Sequence, residues 1–506
     1  MKRLISCLLL AAATATAAET TPKLKLVVVL VVDQFRYDYL TRFQGEYKAG
    51  LDRLAKNGAV FTNAYLEHFP TVTAIGHSVV LTGAFPSVSG IIGNDWYDRE
   101  SAKQVTSVSD PQTNLLGGTG GGGASPRRLL VSTVGDEMKL ATGGKARVIG
   151  MSMKDRAAIL PVGHLADVAY WYDGSTGSFV TSSYYRADLP DWVKEFNSKA
   201  ANQYKGMEWL GRKMPENEKA YLAILGSPFG NDLLEAFAEQ AIRSEKLGQG
   251  PVTDLISISF SSNDYVGHQF GPESPQVRDI CIRTDQEIGK LFQFLDAQVG
   301  MESVLVVFTA DHGVAPMPDG QPGRRIPGGR MPAGIVQNNV QAELTRRYGE
   351  GIWIVSPSEH SLYLNRELIQ KKNLALAEVE QTAKEAASGM PHIFRVYTGE
   401  QLTNKALWQD LVGRRVLNGH SLSRGADVYI LLEPYWMFGA AGTTHGTAFN
   451  YDAHVPVVLM GPGIRPGKYD QRVAANDIAP TLATLLEVDP PSGSAGRVLV
   501  EALAPR

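Results

Sequence analysis

Three aspartates stand where short apolar runs stop. The run LVVVLVV over Leu26–Val32 ends at Asp33. LISISF over Leu255–Phe260 is followed by Ser-Ser-Asn and then Asp264, and VLVVF over Val304–Phe308 by Thr-Ala and then Asp311. Histidines accompany them: His268 four residues after Asp264, His312 directly after Asp311, and His445 in Thr444-His445-Gly446. One aspartate after a strand is commonly a turn former or a helix cap. Three carboxylates with three imidazoles are the donor set that two borderline divalent cations need, since such ions take oxygen and nitrogen together.

The apolar runs are the elements that would carry these side chains. Their length, abrupt polar ends and lack of alternation read as strands buried on both faces. RVIGM over Arg147–Met151 is a further one, leading into Lys154. Between them lie helical stripes such as Val277, Ile280, Cys281, Thr284, Ile288, Leu291 and Leu295, spaced by three or four. Cys281 on that stripe is a small core residue. The alternation predicts an α/β fold with a mostly parallel sheet covered on both faces. Ligands of such sheets bind outside the carboxyl ends of the strands, where the aspartates stand. The glycine cluster Gly117–Gly123 reads as a mobile loop. Residues 314–440 add no further acidic strand end and read as an inserted cap lobe, leaving 19–313 and 441–506 as the core.

Charge excludes one class of partner. With 49 Lys and Arg against 52 Asp and Glu, the 506 residues carry −3, so no basic field would hold a nucleic-acid backbone. A hydrophobic content of 44% and a charged content of 20% are those of ordinary globular chains and exclude wholesale disorder. Residues 1–18 read as a signal peptide: Lys2 and Arg3, an apolar stretch from Leu4 to Ala13, then small residues up to Ala18. That stretch is too short to span a bilayer, and no later segment reads as transmembrane. Cleavage would remove two cations, giving −3 − 2 = −5, and would leave Cys281 as a lone cysteine without a disulfide. The expected location is periplasmic or secreted.

Further motifs complete a resemblance. Thr73-Ala-Ile-Gly-His77 precedes the apolar stretch SVVLTG; Gly90-Ile-Ile-Gly-Asn94-Asp-Trp-Tyr and Ser152-Met-Lys154-Asp-Arg156 follow; Asp477-Ile-Ala-Pro480 and Pro490-Pro-Ser-Gly close the series. With the Asp and His pairs, these motifs resemble the alkaline phosphatase superfamily. The similarity is to its type I phosphodiesterase/nucleotide pyrophosphatase branch, and within that to the bacterial threonine-nucleophile alkaline phosphatases. It runs from Val27 to about Leu499. The resemblance implies an alkaline-phosphatase-like three-layer α/β/α sandwich holding two zinc ions, one on Asp264, His268 and His445, the other on Asp33, Asp311 and His312. It makes Thr73 the nucleophile and a metal contact, and assigns Asn94, Lys154 and Arg156 to the substrate. The implied activity is hydrolysis of small phosphate monoesters through a phosphothreonine, with diester hydrolysis as a side reaction.

Elementary chemistry is consistent with those roles. A helix start at Thr73 would offer unpaired N–H groups and a positive dipole end to an anion. A threonine hydroxyl is a poor nucleophile unless a base or a cation activates it. Lys154 and Arg156, two apart on an extended segment, would face one way. His77 and His454 are expected to be structural. A phosphodiesterase would share the metal ligands and Thr73 but lack the Lys-x-Arg pair. A sulfatase would need C/S-x-P-x-R, which neither cysteine matches, and a phosphoglycerate mutase of the superfamily uses serine in the cytoplasm. A non-catalytic, metal-stabilised surface protein would be favoured only by the loss of a ligand or of the nucleophile. Oligomeric state is not encoded in any of these signals.

Overall fold

The computed structural model describes residues 23–119, 122–318, 327–358, 360–403 and 410–505; the signal peptide expected over residues 1–18 lies outside them. Leu26–Val32 forms the middle of the sheet, fully buried, as its continuous apolar, valine-rich run requires. Asp254–Phe260 and Val304–Thr309 pair with it in parallel on either side. Val148–Ser152 and then Val168–Asp173 extend the parallel set beyond Asp254–Phe260. Alternate residues of the central strand serve different layers. Leu26, Val28, Leu30 and Val32 join the cluster containing Leu234, Phe237, Ile280 and Leu291 of helices Phe229–Ser244 and Pro275–Gln298. Val27, Val29 and Val31 join Val80, Leu81, Ile478 and Leu482 of helices Thr73–Thr82 and Ile478–Leu486. This is the three-layer α/β/α sandwich, and Cys281 is buried in its first cluster.

The sheet is mixed: besides its central parallel run, Ala59–Phe61 and Gly467–Tyr469 pair in parallel at one edge. Among the described residues it has eleven strands. Val457–Met460 runs antiparallel to Val304–Thr309 on one side. Ser178–Ser182 runs antiparallel to Val168–Asp173 on the other, followed by Ser109–Leu116 and Gly122–Ala124. The end of the glycine cluster is therefore not loop: Gly122–Ala124 is an edge strand. Gly123 lies so close to Thr113 that a Cβ there would meet its Oγ1 at 2.1 Å, so glycine marks a close backbone approach.

Residues 331–432 carry a second sheet, in the order Ile354–Pro357, Ser361–Leu364, Val428–Leu432, Ile393–Thr398. One face, with Leu362, Leu364, Val428 and Ile430, packs under helices Ile335–Tyr348 and Leu376–Ser388 around the fully buried Trp353. The other, with Tyr363, Tyr397 and Tyr429, joins a cluster of the main fold. Among the described residues no helix is long and apolar enough to cross a membrane.

Candidate active site

Strand register brings the acidic ends together. Val31 lies opposite Thr309, so Asp33 and Asp311 leave the sheet two residues beyond the same rung. Val32 lies opposite Phe260, and helix Ser262–Phe270 starts just past that point, with Asp264 in its first turn and His268 one turn later. His268 Nε2 lies 3.1 Å and His445 Nε2 3.7 Å from Asp264 Oδ1. His312 Nε2 lies 3.4 Å from both Asp33 Oδ1 and Asp311 Oδ2. Two groups bring their ligand atoms within 4.8 Å of one another: Asp264, His268 and His445, and Asp33, Asp264 and His312. Asp311 flanks the second group, and Asp264 belongs to both.

The three imidazoles are oriented alike. His268 Nδ1 donates to Thr443 O at 2.7 Å, His312 Nδ1 to Gly313 O at 3.0 Å, and His445 Nδ1 to Thr71 O at 2.8 Å. A carbonyl can only accept, so each Nδ1 carries a hydrogen and each ring turns its Nε2 toward the carboxylates. Burial keeps His312 and His445 below the usual imidazole range, the latter far below. His268 rises instead, because Asp264 outweighs its burial. Asp33 Oδ1 is buried without a hydrogen-bond partner. Carboxylate oxygens and imidazole nitrogens thus converge, and divalent cations are what this donor set fits.

Lys154 occupies part of that space. Its Nζ lies 2.6 Å from Asp33 Oδ2 and 2.6 Å from Asp264 Oδ2, bridging a carboxylate from each expected ligand set. Burial opposes its charge, yet the two carboxylates push its pKa up. Burial would likewise raise Asp264, but Lys154 and then His268 hold it well below the carboxylate range. For Asp33, burial and the Asp311 charge win and its pKa goes up. Asp311 is held down in spite of burial by His312 and His77. Lys154 and Arg156 do not share an extended segment: Lys154 caps the short helix Asp155–Ile159 and Arg156 lies within it. A turn, not strand alternation, therefore sets their directions. Arg156 lies 3.6 Å from Asp155 Oδ1, and its Nε is buried without a partner.

Thr73 is the first residue of helix Thr73–Thr82, whose N-cap Val72 supplies no side-chain bond. Its Oγ1 lies 3.4 Å from His312 Nε2. A Cβ on Gly76 would meet Asp311 O at 2.1 Å, so this glycine lets the helix approach the Asp311 backbone. The Ala74 N–H donates to Asn94 Oδ1 at 2.9 Å, which fixes the carboxamide and leaves its Nδ2 as the donor end. His77 Nδ1 lies 2.9 Å from Thr73 O and 3.2 Å from Asp311 Oδ2, and Nε2 lies 2.7 Å from Ser259 Oγ. This histidine ties helix Thr73–Thr82 to the sheet. His454 stacks on Tyr37 and Tyr65, away from the cluster.

Gln34 was not foreseen. Its φ of 63° is left-handed, its N–H donates to Asp311 Oδ1 at 3.1 Å, and its Nε2 donates to Asp264 Oδ1 at 2.6 Å. One residue thus spans carboxylates 47 positions apart. A Cβ on Gly267 would lie 1.7 Å from Gln34 Oε1, which explains the glycine before His268. Adjacency to Asp33 was the available signal.

A family model described as type I phosphodiesterase/nucleotide pyrophosphatase matches residues 27–454. A calcium-transporting ATPase of Myroides odoratus is 35% identical, with 96% of each chain covered. Alkaline phosphatase PafA of Elizabethkingia meningoseptica is also 35% identical, over 97% of this chain and 96% of its own. The crystal structure of wild-type alkaline phosphatase PafA matches with a TM-score of 0.89 at 34% identity, covering 96% of this chain and 100% of that one. A PafA variant altered at a threonine, an asparagine, a lysine and an arginine gives the same TM-score.

Proposed function

The chain belongs to the type I phosphodiesterase/nucleotide pyrophosphatase family, and from that premise we propose that it is a periplasmic or secreted alkaline phosphatase that hydrolyses phosphate monoesters through a phosphothreonine at a two-zinc site. One observation carries the reading. The carboxylates of Asp33, Asp264 and Asp311 and the Nε2 atoms of His268, His312 and His445 converge, with the Thr73 hydroxyl 3.4 Å from His312 Nε2. Asp264, His268 and His445 would hold one ion, and Asp33, Asp311 and His312 the other, with Thr73 in contact. Bound dications there supply Lewis acidity and neutralise charge developing on oxygen.

The chain's own groups do the rest. The Thr73 Oγ–phosphorus bond forms as the ester oxygen–phosphorus bond breaks; the hydroxyl proton is lost and the leaving alcohol gains one. Water then cleaves the phosphothreonine, restoring the hydroxyl and releasing phosphate. The start of the nucleophile helix and Asn94 Nδ2 offer hydrogen-bond donors to the phosphoryl oxygens. With cations on Asp33 and Asp264, the Lys154 ammonium would be free to donate to a phosphoryl oxygen, and the Arg156 guanidinium would supply a second cation. On the same reading residues 1–18 are the leader, 19–313 and 441–506 the catalytic core, and 314–440 an inserted lobe.

The Lys-x-Arg pair decides between mono- and diesters. A monoester spreads about two negative charges over three equatorial oxygens, whereas a diester carries an alkyl or nucleoside group in place of one. Truncating both Lys154 and Arg156 to alanine should cut monoester turnover by about 10³-fold or more and diester turnover much less. Equal losses on the two substrates would overturn the monoesterase reading in favour of a phosphodiesterase.

A further inference from the structure

We propose that the cavity over His268 and His445 is a leaving-group subsite for uncharged, hydroxyl-bearing alcohols of about sugar size. It is built jointly by the hairpin that follows Asn94 and by the second sheet. The inference rests on the phosphomonoesterase reading and extends it to the alcohol side of the ester. The cavity measures about 440 Å³, and Asn94, His268 and His445 are among the residues lining it. In an in-line displacement the leaving oxygen lies opposite Thr73. An alcohol departing past His268 and His445 would therefore occupy this space.

The walls define what fits. Ser358 and Ser361 present hydroxyls 2.9 Å apart. Gln104 Nε2 donates to Asp95 Oδ1 at 2.6 Å, and Gln104 Oε1 accepts from Ser356 Oγ at 3.1 Å. These side chains tie the hairpin of Asp95–Asp98 and Lys103–Thr106 to strand Ile354–Pro357, so both lobes contribute polar groups to one wall. Tyr363 and Tyr429 also line it, but their hydroxyls are engaged elsewhere, with Arg424 O at 2.9 Å and His420 Nδ1 at 3.0 Å. What they offer a ligand is ring surface. Hydroxyl and amide groups beside aromatic rings suit an occupant with C–H faces and several hydroxyls.

Charge narrows the class further. Among the described lining residues there is no lysine or arginine, and Asp95 supplies a carboxylate. His360 is kept neutral by burial, which pushes it down to about 4. An anionic leaving group, such as the nucleoside diphosphate released from a triphosphate, would meet no lysine or arginine among the described lining residues and would face Asp95. A hexose or a nucleoside would meet neither penalty.

The test uses the full, metal-loaded protein and compares kcat/KM for methyl phosphate, glucose 6-phosphate, AMP and ATP. Glucose 6-phosphate, AMP or both should exceed methyl phosphate by about tenfold or more, and both should exceed ATP. The double variant Gln104→Ala/Ser361→Ala should lower the ratio to methyl phosphate about tenfold. A response confined to glucose 6-phosphate would assign the site to hexoses, one confined to AMP to nucleosides. Asp95→Asn should raise ATP relative to AMP several-fold. A double variant that lowers methyl phosphate and the larger esters equally would mean that these residues only hold the Asn94 hairpin, which overturns the subsite. So would ATP outpacing AMP in the unmodified protein. Failure of the loaded protein to hydrolyse any of the four would instead remove the phosphomonoesterase reading beneath it.

Discussion

Replacing Lys154 by methionine removes the ammonium that lies 2.6 Å from Asp33 Oδ2 and 2.6 Å from Asp264 Oδ2, while keeping an unbranched chain of similar length. All three side chains are buried, so the two carboxylates would lose their compensation without gaining water. Breaking a buried ion pair in this way costs about 3–5 kcal/mol. For a chain of 506 residues, about 2.1 cal/mol/K per residue gives an unfolding entropy near 1 kcal/mol/K, so the melting temperature should fall by about 3–5 °C in chelator. With zinc bound to the same carboxylates the ammonium has nothing left to neutralise, and the loss should shrink to about 1 °C or less. Calorimetry of the wild type and Lys154→Met, each with chelator and with zinc, measures the four melting temperatures. An equal loss in both conditions would refute the argument that cations and the Lys154 ammonium neutralise the same charges.

The metal site itself predicts about two zinc ions per chain by elemental analysis, with activity lost in chelator and restored by zinc; full turnover by metal-free protein would remove the centre from the mechanism. Thr73→Ala should lower turnover by about 10³-fold or more without unfolding the chain, whereas Thr73→Ser should keep a large part of it. A trapped phosphopeptide lacking residue 73 would exclude the threonine. A third expectation lies away from the site, at Glu235, whose carboxyl is pushed from 4.5 up to about 9 by burial and then by its hydrogen bond with Glu239. The folded chain holds this proton where the unfolded chain has released it, so stability falls as pH rises from about 4.5 to 9. Glu235→Gln copies the protonated form. It should melt with the wild type at about pH 5 and above it at about pH 10, and a shift of equal size at both would exclude titration as the cause.

Local patterns were enough to locate most of this chemistry. A run such as Leu26–Val32 can only be a strand buried on both faces, because its β-branched residues leave no polar side for water. The polar residues that end such runs must then surface at the carboxyl edge of a sheet. The spacing from Asp264 to His268 is one helical turn, and the apolar stretch after Thr73 is a helix wherever it lies. Those statements concern neighbours in the chain, whose geometry bond angles and hydrogen bonding fix locally. Through-space pairing decided the rest. That Asp33 and Asp311 leave the same rung follows from Val31 pairing with Thr309, 278 residues away. That each imidazole turns Nε2 inward depends on the carbonyls of Thr443, Gly313 and Thr71. Gln34 reads as an ordinary polar residue until its left-handed backbone and its two carboxylate contacts are seen together. The sequence marks Lys154 as a cation near the site. Only the tertiary structure sets its ammonium between Asp33 and Asp264, because the attraction that holds it there acts across the sheet and leaves no periodic trace along the chain.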